Sequence, residues 1–275
     1  MAVTTSPERV AEGARIASML CNGCHLGEDN KLSGQRLTDV PPVFGKFYSA
    51  NITQHPDYGI GQWTDSELYY FLRTGLRKDG TFSAIMPQFP RVSDEELWSI
   101  IAFLRSGESK VQPSAHVSPP SEPAFLGKLL MKFVLKPATY PSSPIPPPDT
   151  LNQIAWGRHL ANNLYSCYDC HSASFTSNNL EEPEKSKGFY GGGNELLDLD
   201  GNPIYSANLT PDDATGIGRY SQQDFIQALK YGKRPDGRPI QYPMQPRTAM
   251  TDAEVKAIFA YLRSIPPITN TVSKP

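Results

Sequence analysis

Two pentapeptides, Cys21-Asn22-Gly23-Cys24-His25 and Cys167-Tyr168-Asp169-Cys170-His171, use all four cysteines of the chain. Each pairs two thiols three positions apart with a histidine directly behind the second. That spacing puts both thiols on one helical turn, where each can add to one vinyl group of a haem, and turns the imidazole toward the iron. Three other chemistries fit this pattern less well. A zinc site of four thiolates leaves both histidines unexplained. A redox dithiol calls for a βαβ pattern, which the surrounding sequence lacks. A disulfide within C-x-x-C closes a tight, strained loop, and here it would have to occur twice. Covalent haem therefore leads, with Cys21, Cys24, Cys167 and Cys170 as attachment points and His25 and His171 as proximal iron ligands.

The motifs sit in an internal repeat. Tyr48-Ser49-Ala50-Asn51-Ile52-Thr53 recurs as Tyr205-Ser206-Ala207-Asn208-Leu209-Thr210, and Gly59-Ile60-Gly61 as Gly216-Ile217-Gly218. Asp79-Gly80 recurs as Asp236-Gly237, and Ala102-Phe103-Leu104-Arg105-Ser106 as Ala260-Tyr261-Leu262-Arg263-Ser264. Ahead of Tyr205 the second copy should hold an insertion, placed here within 181–199. Each copy predicts three main helices around a haem. The first spans 9–20 and 154–165. The second starts at the capping boxes Thr64-x-x-Glu67 and Ser221-x-x-Asp224, and the third at Ser93-x-x-Glu96 and Thr251-x-x-Glu254. Gly13 and Gly157 should let the first helix cross closely against Phe103 and Tyr261.

The expected fold class is all-α, with two tandem haem domains at 1–112 and 151–275. Residues 113–150 hold 10 of the 26 prolines and predict a stiff connector. It includes a short apolar helix near 125–135, too short to span a bilayer. That helix is read as packing at a domain interface, the alternative being a membrane surface.

Met86 and Met244 occupy equivalent places between the Asp-Gly turn and the third helix, and are the expected sixth ligands. Met250 competes in the second copy, but its place before the Thr251 cap marks it as core, matching Val92. His55, His116 and His159 have no counterparts and read as ordinary surface or loop residues. Trp63 and Tyr220 align before the second helix, where a ring N–H or O–H suits a haem propionate as well as plain packing. Asp198-x-Asp200-x-Asn202 lacks the rest of a calcium loop and reads as a solvated turn.

A net charge of −2 and the lack of a basic tract argue against nucleic acid. Hydrophobic residues make up 39% of the chain, and nothing suggests an integral membrane protein. Covalent haem attachment takes place outside the bacterial inner membrane. The opening residues contain no apolar signal core, so an export signal or N-terminal anchor is expected to have been removed. The expected location is the periplasm, soluble or anchored to the inner membrane.

The order of these features resembles tandem class I c-type cytochrome domains. More closely, Ser-Ala-Asn-[Ile/Leu]-Thr, Gly-Ile-Gly, the Asp-Gly turn, the Met loop and the terminal Leu-Arg-Ser resemble the cytochrome c subunits of bacterial membrane-bound alcohol and gluconate dehydrogenases. The resemblance implies two haem c groups, electron transfer from a periplasmic dehydrogenase toward a respiratory acceptor, and redox partners such as a dehydrogenase, an oxidase or another cytochrome. Those subunits typically carry three haem motifs and this chain carries two, so a free-standing or lipid-anchored relay fits as well. Matched Met86 and Met244 favour a carrier with both irons closed. The alternative is a dihaem peroxidase-like oxidoreductase with one exchangeable axial position.

Overall fold

The computed structural model describes residues 3–38 and 40–272. The chain is mostly helical and divides into two compact units, one ending at Pro147 and the other starting at Pro148.

In the first unit, α1 (Pro7–Leu20) starts where the Ser6 hydroxyl accepts from the Arg9 amide and Pro7 takes the first turn. The next turn, α2 (Asn22–His25), carries the first haem motif. Two further helices, α3 (Asp65–Thr74) and α4 (Asp94–Leu104), complete the unit, each held by a reciprocal capping box at Thr64/Glu67 and Ser93/Glu96. A Cβ on Gly13 would lie 1.8 Å from the Ser99 carbonyl oxygen and 3.0 Å from Phe103 Cβ, so α1 and α4 cross at a contact only glycine permits. Ile16 and Ala17 on α1 and Leu97, Ile101 and Phe103 on α4 are buried core residues.

The second unit repeats this plan with one change at its start. The expected helix over 154–165 is split into α6 (Gln153–Arg158) and a π-helical turn over His159–Leu164. The Tyr165 amide bonds the Leu160 carbonyl, five residues back, at 2.9 Å. Ten positions separate Gly157 from Cys167, against eight from Gly13 to Cys21. The wider π turn and a left-handed Ser166 (φ 45°) take up the extra length. It also buries His159, read from sequence as an ordinary surface or loop residue, to 8% exposure. The haem motif α7 (Cys167–His171) follows, then α8 (Gln222–Tyr231) and α9 (Asp252–Ser264), with capping boxes at Ser221/Asp224 and Thr251/Glu254. Gly157 meets the Ala257 carbonyl as Gly13 meets Ser99, its Cβ position lying 1.9 Å from that oxygen.

Short strands bring the Ser-Ala-Asn repeat beside each motif. In the first unit β1 (Arg36–Leu37), β2 (Gly45–Tyr48) and β3 (Glu122–Pro123) form an antiparallel sheet in that order. In the second, β4 (Glu195–Leu197) pairs with β5 (Pro203–Tyr205). The Ile52 amide bonds the Leu32 carbonyl and the Leu209 amide bonds the Tyr190 carbonyl, so Leu32 and Tyr190 are equivalent. The main insertion thus lies before Tyr190, around the 3-10 turns Phe175–Ser177 and Pro183–Lys185, rather than across 181–199.

Residues 113–147 lie with the first unit. Asn51 Nδ2 donates to the Ser114 and His116 carbonyls, both at 2.9 Å. Strand β3 pairs with β2, and the Asp94 amide bonds the Ile145 carbonyl. A short helix, α5 (Phe125–Phe133), rests Gly127 against Phe44. Among the described residues, no helix is long and apolar enough to cross a membrane.

Candidate functional site

The two C-x-x-C-H turns differ in how they are entered, Cys21 running directly on from α1 and Cys167 following the left-handed Ser166, but their histidines find matching partners. Cys21 ends α1 with its amide bonded to the Ala17 carbonyl, and the His25 amide bonds back to the Cys21 carbonyl at 2.8 Å. The neighbouring loop grips the motif's backbone: Ser49 Oγ donates to the Cys24 carbonyl and Gln35 Nε2 to the Gly23 carbonyl. In the second unit Asn178 Nδ2 donates to the Asp169 carbonyl. The His25 carbonyl accepts from Gly34, and the His171 carbonyl from Gly192.

The decisive contacts are at the imidazoles. His25 Nδ1 lies 2.7 Å from the Ala50 carbonyl oxygen, and His171 Nδ1 lies 2.8 Å from the Ala207 carbonyl oxygen. A carbonyl can only accept, so Nδ1 carries the proton in both rings and Nε2 keeps its lone pair. That tautomer is the one an iron-bound imidazole requires, with the Nδ1 bond fixing the ring plane. Burial pushes both histidines below the ordinary imidazole range, against the opposing effect of the carbonyl bond. Both rings are thereby held neutral. Burial also drives the Cys21 thiol up to about 12 and the Cys167 thiol to about 11, and no disulfide joins any of the four cysteines. The donor set fits a haem c: a neutral nitrogen aimed by a backbone carbonyl, beside two thiols one turn away.

Met86 and Met244 stand half-buried on loops anchored at both ends to the helix before them. The Ser83 amide bonds the Gly75 carbonyl and the Phe89 amide bonds the Leu72 carbonyl. In the second unit Ile240 bonds Gly232, and Arg247 bonds Leu229. Met250 is buried to 3% exposure and Val92 fully, as core residues. Trp63 packs edge-on against Phe71, with ring centroids 5.5 Å apart, and Tyr220 is half-buried at the equivalent place. His55 stacks on Tyr58 in an exposed loop. Asp198 closes a turn by accepting from the Asp200 and Asn202 amides. No cluster of three or more His, Cys, Asp or Glu side chains that could hold a metal ion occurs among the described residues.

Several residues that build the site had no role assigned from sequence. Ala50 and Ala207 act through their carbonyls. Asn51 and Asn208 hold them from behind: each Oδ1 accepts from the amide and hydroxyl of Thr53 or Thr210. Arg105 ties α4 to the Ile60 and Trp63 carbonyls, and Arg263 ties α9 to those of Ile217 and Gly218. The signal was present in the repeated Ser-Ala-Asn-[Ile/Leu]-Thr, Gly-Ile-Gly and Leu-Arg-Ser segments.

Residues 8–104 match the family model described as cytochrome c oxidase, cbb3-type, subunit III. The first unit carries a cytochrome c domain. Across nearly its whole length the chain is similar to cytochrome subunits of dehydrogenases. It is 32% identical over 276 residues to the cytochrome c subunit of a quinone alcohol dehydrogenase from Gluconacetobacter polyoxogenes, covering 94% of this chain and 56% of that protein. It is 29% identical over 271 residues to the fructose dehydrogenase cytochrome subunit of Gluconobacter japonicus, covering 90% of this chain and 50% of that one. A diheme c-type cytochrome of Cereibacter sphaeroides is 28% identical over 265 residues, covering 90% of this chain and 82% of that one. The chain spans about half the length of the dehydrogenase cytochromes it matches.

Proposed function

We propose that the chain is a dihaem relay made of two tandem cytochrome c domains, carrying electrons between a dehydrogenase and a respiratory acceptor in the bacterial periplasm. Cys21 and Cys24 would hold one haem and Cys167 and Cys170 the other, with His25/Met86 and His171/Met244 as axial pairs. One observation carries this reading: both motif histidines have Nδ1 fixed by the alanine carbonyl of the same repeated pentapeptide. The same contact in both units supports a second haem site in the unit that the family model leaves unmatched.

The haem, when bound, supplies reversible one-electron chemistry at iron. The protein's part is to hold that chemistry still. The Ala50 and Ala207 carbonyls keep each imidazole in one tautomer and one plane, so little rearranges when charge changes. Met86 and Met244, on loops pinned at both ends, would close the distal side, and a thioether there favours the reduced state. Trp63 and Tyr220 would offer a ring N–H and O–H to the propionates.

Similarity to the alcohol and fructose dehydrogenase subunits supports a dehydrogenase as donor. The diheme cytochrome, most of whose length is matched, supports a two-haem unit acting as a carrier.

The axial assignment is tested by Met86→Ala and Met244→Ala. Each variant is expected to keep both haems. Each should lose one haem's share of the near-infrared methionine–iron charge-transfer band and lower that haem's potential. An unchanged band in either variant would remove that methionine from the iron, with Met250 the next candidate in the second unit. An iron with no methionine at all would fit the peroxidase-like alternative.

A further inference from the structure

The two methionine loops share their backbone anchors but differ in what locks them from below. Arg73 on α3 is fully buried. Its Nη1 donates to the Phe89 carbonyl at 2.9 Å and the Val92 carbonyl at 2.5 Å, the two ends of the segment that leads from Met86 into α4. Its Nη2 donates to Asp94 Oδ1 at 2.5 Å and to the Tyr69 hydroxyl at 3.1 Å. Four of its five N–H groups are thus matched, and only Nε lacks a partner.

The second unit places Lys230 at the same position. Lys230 donates to Asp252 Oδ1 at 2.5 Å and so keeps the ion pair, with Asp252 standing where Asp94 stands. A single ammonium on a flexible stem cannot reproduce a planar fork that reaches two carbonyls and a carboxylate together. Ile226 replaces Tyr69, which removes the hydroxyl as well.

We propose that Arg73 is a positioning residue that locks the Met86 loop, and that its replacement by Lys230 leaves the Met244 loop the more readily opened of the two. The inference rests on Met86 and Met244 as axial ligands. Its consequence is an asymmetry of access: a small neutral nitrogen base competing for iron displaces Met244 before Met86. The second unit is then where an exogenous ligand enters the relay.

The test titrates ferric holoprotein with imidazole and follows the near-infrared band. In Met86→Ala the band reports the Met244 bond alone, and in Met244→Ala it reports the Met86 bond alone. The Met86→Ala protein is expected to lose its band at an imidazole concentration lower by about tenfold, the scale of one or two lost charged hydrogen bonds. Arg73→Lys placed in Met244→Ala should bring the two concentrations together while His25 ligation and haem content stay unchanged. Equal concentrations, a reversed order, or no response to Arg73→Lys would overturn the clamp and leave the ligand assignment standing. A wild-type protein with no band would overturn the ligand assignment, and the clamp with it. Comparing the two methionine variants requires no change at Arg73, so a misfolded Arg73→Lys protein still leaves a deciding result.

Discussion

At the scale of single residues, the two motif imidazoles are oriented by backbone oxygens and not by other side chains. Cysteine and histidine identities announce themselves because thiol and imidazole chemistry is specific to those side chains. The groups that orient the imidazoles are the carbonyls of Ala50 and Ala207, and a carbonyl carries no residue identity that a sequence can display. What a sequence displays is the neighbour that holds the carbonyl in place. Asn51 is 4% exposed and satisfies two carbonyls and a threonine, as Asn208 satisfies the Ile268 carbonyl and Thr210. Asn51→Ala leaves those buried partners unpaired and should destabilise the first unit by about 2 kcal/mol. Denaturant unfolding would read the loss. Asn208→Ala should do the same in the second unit, and a change under about 0.5 kcal/mol in both would strip the repeat of its supporting role.

At the scale of elements, capping boxes and apolar periodicity located the second and third helices of each unit, because both signals are local. The sequence predicts one α-helix over 154–165 at the start of the second unit. The π turn found there takes up the two extra residues between Gly157 and Cys167; the pairing of Gly13 with Gly157 already contains that mismatch, but a residue count does not say how the backbone absorbs it. His159 went with it, since a histidine without a counterpart looked solvent-facing and the π turn folds it inward. The crossing glycines give the matching prediction. Gly13→Ala or Gly157→Ala puts a methyl inside the contact radius of a backbone carbonyl that cannot step aside, so the helices must separate. A cost of about 2–3 kcal/mol is expected in either unit, read as a drop in thermal midpoint. An unchanged midpoint would mean the helices do not cross at these glycines.

At the scale of the whole molecule, the repeat was the feature that organised everything else, and it misled only where the copies differ in length. Sequence matching resumes only at Tyr205, which points to an insertion within 181–199, whereas the backbone bonds already match from Tyr190. Residues 113–150 read as a stiff connector because proline dominates them; of these, 113–147 pair and pack with the first unit. Two matched sites in one chain are the central claim, and covalent haem content tests it most directly. Acid-acetone extraction followed by a pyridine haemochrome assay on the full chain should find two haems per polypeptide, both retained by the protein. One haem per chain, or haem that leaves with the solvent, would contradict it.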